Sequence, residues 1–187
     1  MAETDVKLKQ EKPVVAFTAV SIEDEEDRNK IERIFSILEK QGKIPADFIR
    51  PKFLNGDFDF HMTITLGELP MKFKVDLGKE TVLNIEFVGI SDSAVALGVS
   101  GDYFSTNKYQ HITLAFKNLP EDSKNIENWI SLSKPFKLNG IIREFTSKKE
   151  IVRRGVFDET FNRVQIGNFP AEAPPAGNGS MFPYEKK

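Results

Sequence analysis

The stretch PVVAFTAVSIEDEEDRNKIERIFSILEKQG, residues Pro13–Gly42, carries the first two elements of the fold. Its opening run, Val14 to Val20, is short, apolar and rich in β-branched side chains, which is the composition of a buried strand. Ser21 precedes Asp24 by three residues, a capping-box spacing, and the acidic cluster Glu23 to Asp27 suits the positive end of a helix dipole. Ile31, Ile34, Phe35 and Leu38 then recur at i, i+3, i+4 and i+7, so a helix over Glu25–Gln41 presents one apolar stripe. Gly42 and Pro45 end it.

Beyond this pair the chain reads mostly as strands. Ile44 to Asp59 is a loop punctuated by Pro45, Pro51 and Gly56. Phe60–Leu66 is a strand closed by Gly67 and Pro70, and Phe73–Leu77 reads as a short strand. Thr81–Ile90 and Ala94–Ser100, joined by Ser91-Asp92-Ser93, form a hairpin. Gln110–Phe116 is a further strand, Pro120–Ile130 carries a short helix around Trp129, and Pro135–Phe145 is a strand with a break near Asn139-Gly140. Ile151–Phe157 and Phe161–Ile166 pair as a last hairpin. Many strands with one long helix predict an α+β fold with antiparallel pairing. The organisation expected is a flexible arm over 1–12, one domain over 13–145, a C-terminal hairpin extension over 146–168 and a disordered tail over 169–187, where Pro, Gly, Ala and Ser dominate.

Composition narrows the function. The 187 residues fit one domain, and sixteen Phe provide for a sizeable core. A net charge of −2 excludes a uniformly basic nucleic-acid binder. The absence of cysteine excludes disulfides, zinc-thiolate sites and Cys nucleophiles. No apolar run reaches the roughly 18 residues of a membrane span, and the first twelve residues lack a signal-peptide core. The expectation is a soluble, cytoplasmic protein with no membrane partner. Oligomeric state is not legible.

The two histidines share one pattern: His61-Met62-Thr63-Ile64 and His111-Ile112-Thr113-Leu114. With nine Thr in 187 residues, two unrelated histidines would both carry Thr at +2 about once in four hundred. Side chains alternate along a strand, so His61, Thr63 and Thr65 share one face while Phe60, Met62, Ile64 and Leu66 share the other. His111 and Thr113 likewise oppose Ile112, Leu114 and Phe116. Brought together, two imidazoles and two hydroxyls suit attack on a phosphodiester. One His removes a proton from the nucleophile, the other protonates the leaving oxygen, and the Thr hydroxyls bind phosphate oxygens. Such a site needs no metal or other cofactor. A two-His metal site is the competing reading, but it needs a carboxylate ligand and leaves the paired Thr unexplained.

The paired His-x-Thr motifs resemble those of the 2H phosphoesterase superfamily, with its LigT-like fold. That superfamily includes RNA 2′,3′-cyclic phosphodiesterases, the cyclic phosphodiesterase domains of tRNA ligases, and phage enzymes that destroy cyclic-oligonucleotide immune signals. The resemblance covers residues 13–145. It implies a bilobal arrangement of antiparallel sheets about a pseudo-two-fold axis, with the long helix in the first lobe. It also implies an acid–base pair in His61 and His111, with Thr63 and Thr113 as phosphate binders. The function implied is metal-independent cleavage of a nucleotide or RNA phosphodiester: a 2′,3′-cyclic phosphate, or a cyclic or 2′–5′-linked oligonucleotide. The setting would be RNA processing or, if phage-encoded, anti-defence inside the host cell. A non-catalytic RNA- or nucleotide-binding module on the same scaffold is the alternative.

Further substrate contacts are expected from the segment before the second motif. Lys108 is placed to meet a phosphate, and Tyr103, Phe104 or Tyr109 to stack on a base. Thr65 and Arg143 are candidates on their strands, and Phe17 or Thr18 on the first strand is a further candidate for the cleft, with Phe17 reading chiefly as a core residue. The basic cluster Lys148, Lys149, Arg153 and Arg154 reads equally as an RNA contact or as a solvated face mixed with acids.

Overall fold

The computed structural model describes residues 13–101 and 103–152. The protein is α+β with antiparallel strands. The order is β1 (Phe17–Ser21), α1 (Glu25–Lys40), β2 (His61–Leu66), a 3-10 helix (Met71–Asp76), β3 (Glu80–Ile90), β4 (Ala94–Gly101), β5 (His111–Phe116), a second 3-10 helix (Pro120–Asn125) and β6 (Trp129–Phe145). Asp24 caps α1 by accepting from the Asp27 N–H at 2.9 Å, in place of the Ser21 cap expected, and Gly42 leaves the helix at φ 66°. Phe73–Leu77 is not a strand. Pro70 starts a 3-10 turn instead, and Phe73 turns its ring into the core. The second 3-10 helix stops at Asn125, short of Trp129, which opens β6.

Hydrogen bonding closes the strands into a barrel in the order β1-β2-β5-β4-β3-β6. The antiparallel sheets expected in a bilobal arrangement therefore join as one closed barrel. The reason lies in β6, which runs unbroken for 17 residues and pairs with both β1 and β3. Pro135 does not stop it, because the β3–β6 register shifts between Ile85 and Phe87 and leaves Pro135 outside the paired positions. Asn139 does not break it either. Its backbone N–H and side-chain amide both donate to the buried carboxylate of Asp27, at 2.6 and 3.0 Å, tying α1 to the strand. Gly140 lets β6 pass close over β1, where a Cβ would collide with Val20 Cγ1.

The main core joins the helix stripe Ile31, Phe35 and Leu38 to Met62 and Ile64 of β2 and to Ile112 and Leu114 of β5. A second cluster holds Phe87, Ala94, Ala96, Phe116, Ile126 and Trp129. The small residues of β4 and Gly89 of β3 make room for the Trp129 ring, and Trp129 Nε1 donates to the Ile126 carbonyl at 3.0 Å. That packing fixes the segment leading out of the second 3-10 helix.

After β6 the chain turns at Thr146–Glu150 and comes back, pairing Ile151 with Phe145. The expectations for residues 1–12, for the hairpin beyond Val152 and for the tail lie outside the described residues. Among the described residues no helix is long and apolar enough to cross a membrane.

A Cβ on Gly89 would stand 2.7 Å from both Ile126 Cγ2 and Trp129 Cζ3, atoms of side chains with 1% and 2% exposure that have nowhere to move. Gly89→Ala is expected to destabilise the protein by about 1–3 kcal/mol. Urea denaturation checks this, and an unchanged midpoint would contradict the packing described.

Candidate active site

The two motif strands are neighbours. β2 and β5 run antiparallel and pair through Met62 and Ile112, both fully buried. With those two facing the core, alternation turns His61, Thr63, His111 and Thr113 to the opposite face. An antiparallel register centred on Met62–Ile112 sets His61 across from Thr113 and Thr63 across from His111. The two histidines are then diagonal neighbours, a relation that places such residues about 7–8 Å apart. All four side chains line one pocket, together with Phe17, Asp59, Asn107, Ser123, Lys124 and Lys149.

His61 is held by a carboxylate. Asp59 lies two residues earlier, on the same side of the chain, and its Oδ1 is 2.6 Å from His61 Nδ1. The acid fixes the ring with its hydrogen on Nδ1 and leaves Nε2 for the pocket. The Asp59 side chain is fully buried, and its Oδ2 is 2.7 Å from Lys149 Nζ. Burial pushes the Asp59 carboxyl up, but the charges of His61 and Lys149 outweigh burial and hold it below its ordinary value. Lys149 reaches this position from the turn after β6. It adopts φ 61°, a left-handed backbone that costs a non-glycine residue about 1–2 kcal/mol.

The loop that carries Asp59 is itself anchored. The Arg50 guanidinium lies 3.9 Å from the Phe35 ring centroid and 3.4 Å from that of Phe58, and donates to Glu32 at 2.8 Å. The Asp59 N–H donates to the Pro51 carbonyl at 2.9 Å.

His111 is held differently. Its Nδ1 donates to the Tyr109 carbonyl at 2.8 Å, and its Nε2 lies 2.9 Å from Ser123 Oγ. Ser123 also reaches Thr113 Oγ1 at 2.8 Å. Burial pushes the ring's pKa down to about 4. The Tyr109 bond opposes this, while the positive fields of His61 and Lys124 add to it. His111 is therefore neutral at pH 7.

The other candidates do not reach the pocket. Tyr103 is buried and donates its hydroxyl to Asp76 Oδ2 at 3.1 Å, and burial followed by the Asp76 charge raises its pKa. Phe104 packs on Phe73, 4.8 Å between ring centroids. Lys108 extends over the Tyr109 ring, whose far neighbour is Trp129. Tyr109 contributes through its backbone carbonyl, not its ring. Thr65 bonds the Leu66 carbonyl, and Arg143 is forked onto Glu23 at 2.9 and 3.2 Å. Phe17, read as core, instead lines the pocket, stacked on Phe145 and 5.1 Å from the His61 ring. Thr18, the other first-strand candidate for the cleft, is buried outside the pocket and donates to the Gly67 carbonyl. Of the basic cluster, Lys149 serves the site, and Arg153 and Arg154 lie outside the described residues.

Asp59 and Ser123 are the additions that the sequence did not single out, and Lys149 enters from the basic cluster that reads equally as an RNA contact or a solvated face. Asp59 had a signal, the same i, i+2 alternation that pairs each His with its Thr. Compared with protein-family models and with curated proteins, the chain matches none.

The state of His111 sets a pH dependence. Unfolded, its imidazole binds a proton near pH 6.5, and folded only near 4. As pH falls through this window the unfolded chain takes up a proton that the native state refuses. Stability should therefore drop on acidification from about 6.5 to 4, by as much as about 3 kcal/mol. Asp27 and Asp59, both held below the ordinary aspartate value, lose their contributions mainly below this window. Urea midpoints measured between pH 7 and 4.5 test this. The slope should flatten in His111→Gln, and an equal slope in both proteins would contradict it.

Proposed function

We propose that the protein is a 2H-type phosphodiesterase that acts on a nucleotide phosphodiester with His61 and His111 as its acid–base pair. The observation that carries this is the convergence of both His-x-Thr motifs on one pocket, with the Nδ1 of each imidazole held by a partner of its own. The ring order supports the LigT-like reading of the fold. About the Met62–Ile112 pair, β2 exchanges with β5, β1 with β4 and β6 with β3, which is the pseudo-two-fold relation that the resemblance implies.

The environments of the two rings divide the labour. His111, neutral through burial, is the base that takes the proton of the attacking hydroxyl or water. His61 has a carboxylate at 2.6 Å to balance positive charge and is the acid that protonates the leaving ribose oxygen. Thr63 and Thr113 donate to the non-bridging phosphate oxygens, and Lys149 and Lys124 supply positive charge at the pocket wall. The cavity volume is ≈ 140 Å³. That is below the roughly 300–1,000 Å³ of sites that engulf a drug-sized ligand, so it suits the phosphodiester centre of a small nucleotide. Phe17 beside it offers a ring face to a base.

Turnover on a panel of nucleoside 2′,3′-cyclic phosphates, cyclic dinucleotides and 2′–5′ oligonucleotides, in buffer containing EDTA, tests the proposal. At least one member should be cleaved, and His61→Ala and His111→Ala should each lower kcat about 10²–10⁴-fold with the fold retained. Saturable binding of a panel member without cleavage would instead mark a non-catalytic nucleotide-binding module. Activity lost in EDTA and restored by one metal would overturn the mechanism.

A further inference from the structure

Ser123 is the hydroxyl on which the second half of the site converges. It belongs to the 3-10 helix Pro120–Asn125 and is 2% exposed. Its Oγ lies 2.9 Å from His111 Nε2, 2.8 Å from Thr113 Oγ1 and 2.7 Å from the Pro120 carbonyl oxygen. A hydroxyl has one proton to donate, so these three bonds cannot all be of one kind.

The state of His111 decides among them. The Tyr109 carbonyl can only accept, so Nδ1 carries a hydrogen. In the neutral ring Nε2 is then an acceptor, the Ser123 proton points at it, and Thr113 donates to Ser123 Oγ. In the charged ring Nε2 becomes a donor, Ser123 Oγ accepts from it, and the Ser123 proton turns to the Pro120 carbonyl. The charged ring keeps all three bonds, whereas in the neutral ring the Ser123 proton leaves the Pro120 carbonyl, to which it otherwise donates at 2.7 Å. Trp129 covers the His111 ring at 6.4 Å between centroids, and His61 and Lys124 are the charged groups acting on it.

Nε2 has a single in-plane lone pair, and Ser123 Oγ stands on its line. A substrate hydroxyl therefore has no direct route to it. We propose that Ser123 is a proton relay and that His111 acts on substrate through this hydroxyl. This rests on the phosphodiesterase reading above. In the step, the attacking oxygen forms its bond to phosphorus and passes its proton to Ser123 Oγ. Ser123 passes its own proton to His111 Nε2. The bond from phosphorus to the leaving oxygen breaks, and that oxygen takes a proton from His61. Thr113, relieved of Ser123, donates to the phosphate. The cycle closes when His111 releases its proton along the same path and His61 takes one up.

The test compares Ser123→Ala and Ser123→Thr with His111→Ala. Ser123→Ala should lower kcat about as far as His111→Ala does, 10²–10⁴-fold. Adding it to His111→Ala should cost nothing more, and Ser123→Thr should stay within about tenfold of wild type. Wild-type kcat should depend on the deuterium fraction of the solvent along a more strongly curved line than that of Ser123→Ala, because the relay adds one moving proton to those of the nucleophile and His61. Should Ser123→Ala not fold by thermal unfolding, Ser123→Cys, a weak donor, should still lose at least about tenfold. Unchanged or raised kcat in either variant would overturn the relay and make Ser123 a cap that substrate displaces. Independently of turnover, the ¹⁵N resonance of His111 Nε2 should move in Ser123→Ala while that of His61 stays. If wild type cleaves nothing on the panel, the phosphodiesterase reading fails by itself. An Nε2 resonance that does not move would remove the bond on which the relay depends.

Discussion

A single pairing between β2 and β5, Met62 opposite Ile112, is the constraint on which the candidate site depends. Both side chains are fully buried, and burying one such residue is worth roughly 1.5–3 kcal/mol. Because the side-chain period in a strand is two, this register turns both histidines and both threonines to the same face at once. A slip of one residue in either strand would send one motif into the core. The barrel supports the register from both sides, with β1 against β2 and β4 against β5. The helix stripe of α1 belongs to the same core.

On that frame the surroundings of the two histidines are built differently. His61 is steadied by a buried carboxylate that is itself balanced by a lysine from the far end of the described chain. His111 is steadied by a backbone carbonyl and a serine hydroxyl, with no acid among its hydrogen-bond partners. Two copies of one short motif thus acquire different surroundings, and on the His111 side burial pushes the imidazole pKa down. The unlike partners come from loops: Asp59 from the anchored segment before β2, Ser123 from the turn before β6, and Lys149 from the turn after it. The strands supply the pair of histidines and the loops supply their unlike neighbours.

The sequence made legible what depends on local periodicity. The helix ends, the strand at each motif and the facing of His61, Thr63, His111 and Thr113 follow from spacings of 3.6 and 2. Closure of the barrel was not legible, because it depends on β6 running through Pro135 and Asn139-Gly140. A shift in the β3–β6 register accommodates Pro135, and an Asp27 carboxylate 112 residues away accommodates Asn139. The residues before the second motif misled for a related reason. Tyr103 and Phe104 adjoin His111 in sequence, but Asp76 and Phe73 draw them to another part of the core. Arg143 was claimed by Glu23. Ser123 left no local signal, and the basic cluster did not tell Lys149 from its neighbours, since each reaches the pocket through a turn whose position is set by packing elsewhere.

The central claim, that both motifs grip one phosphate, is tested most directly by following the imidazole ¹⁵N resonances of His61 and His111 together. Inorganic phosphate and then the four nucleoside 2′-monophosphates would be titrated into the full chain. The account predicts that both rings respond along one saturation curve with a single Kd. A response confined to one histidine, or two curves with different midpoints, would contradict it.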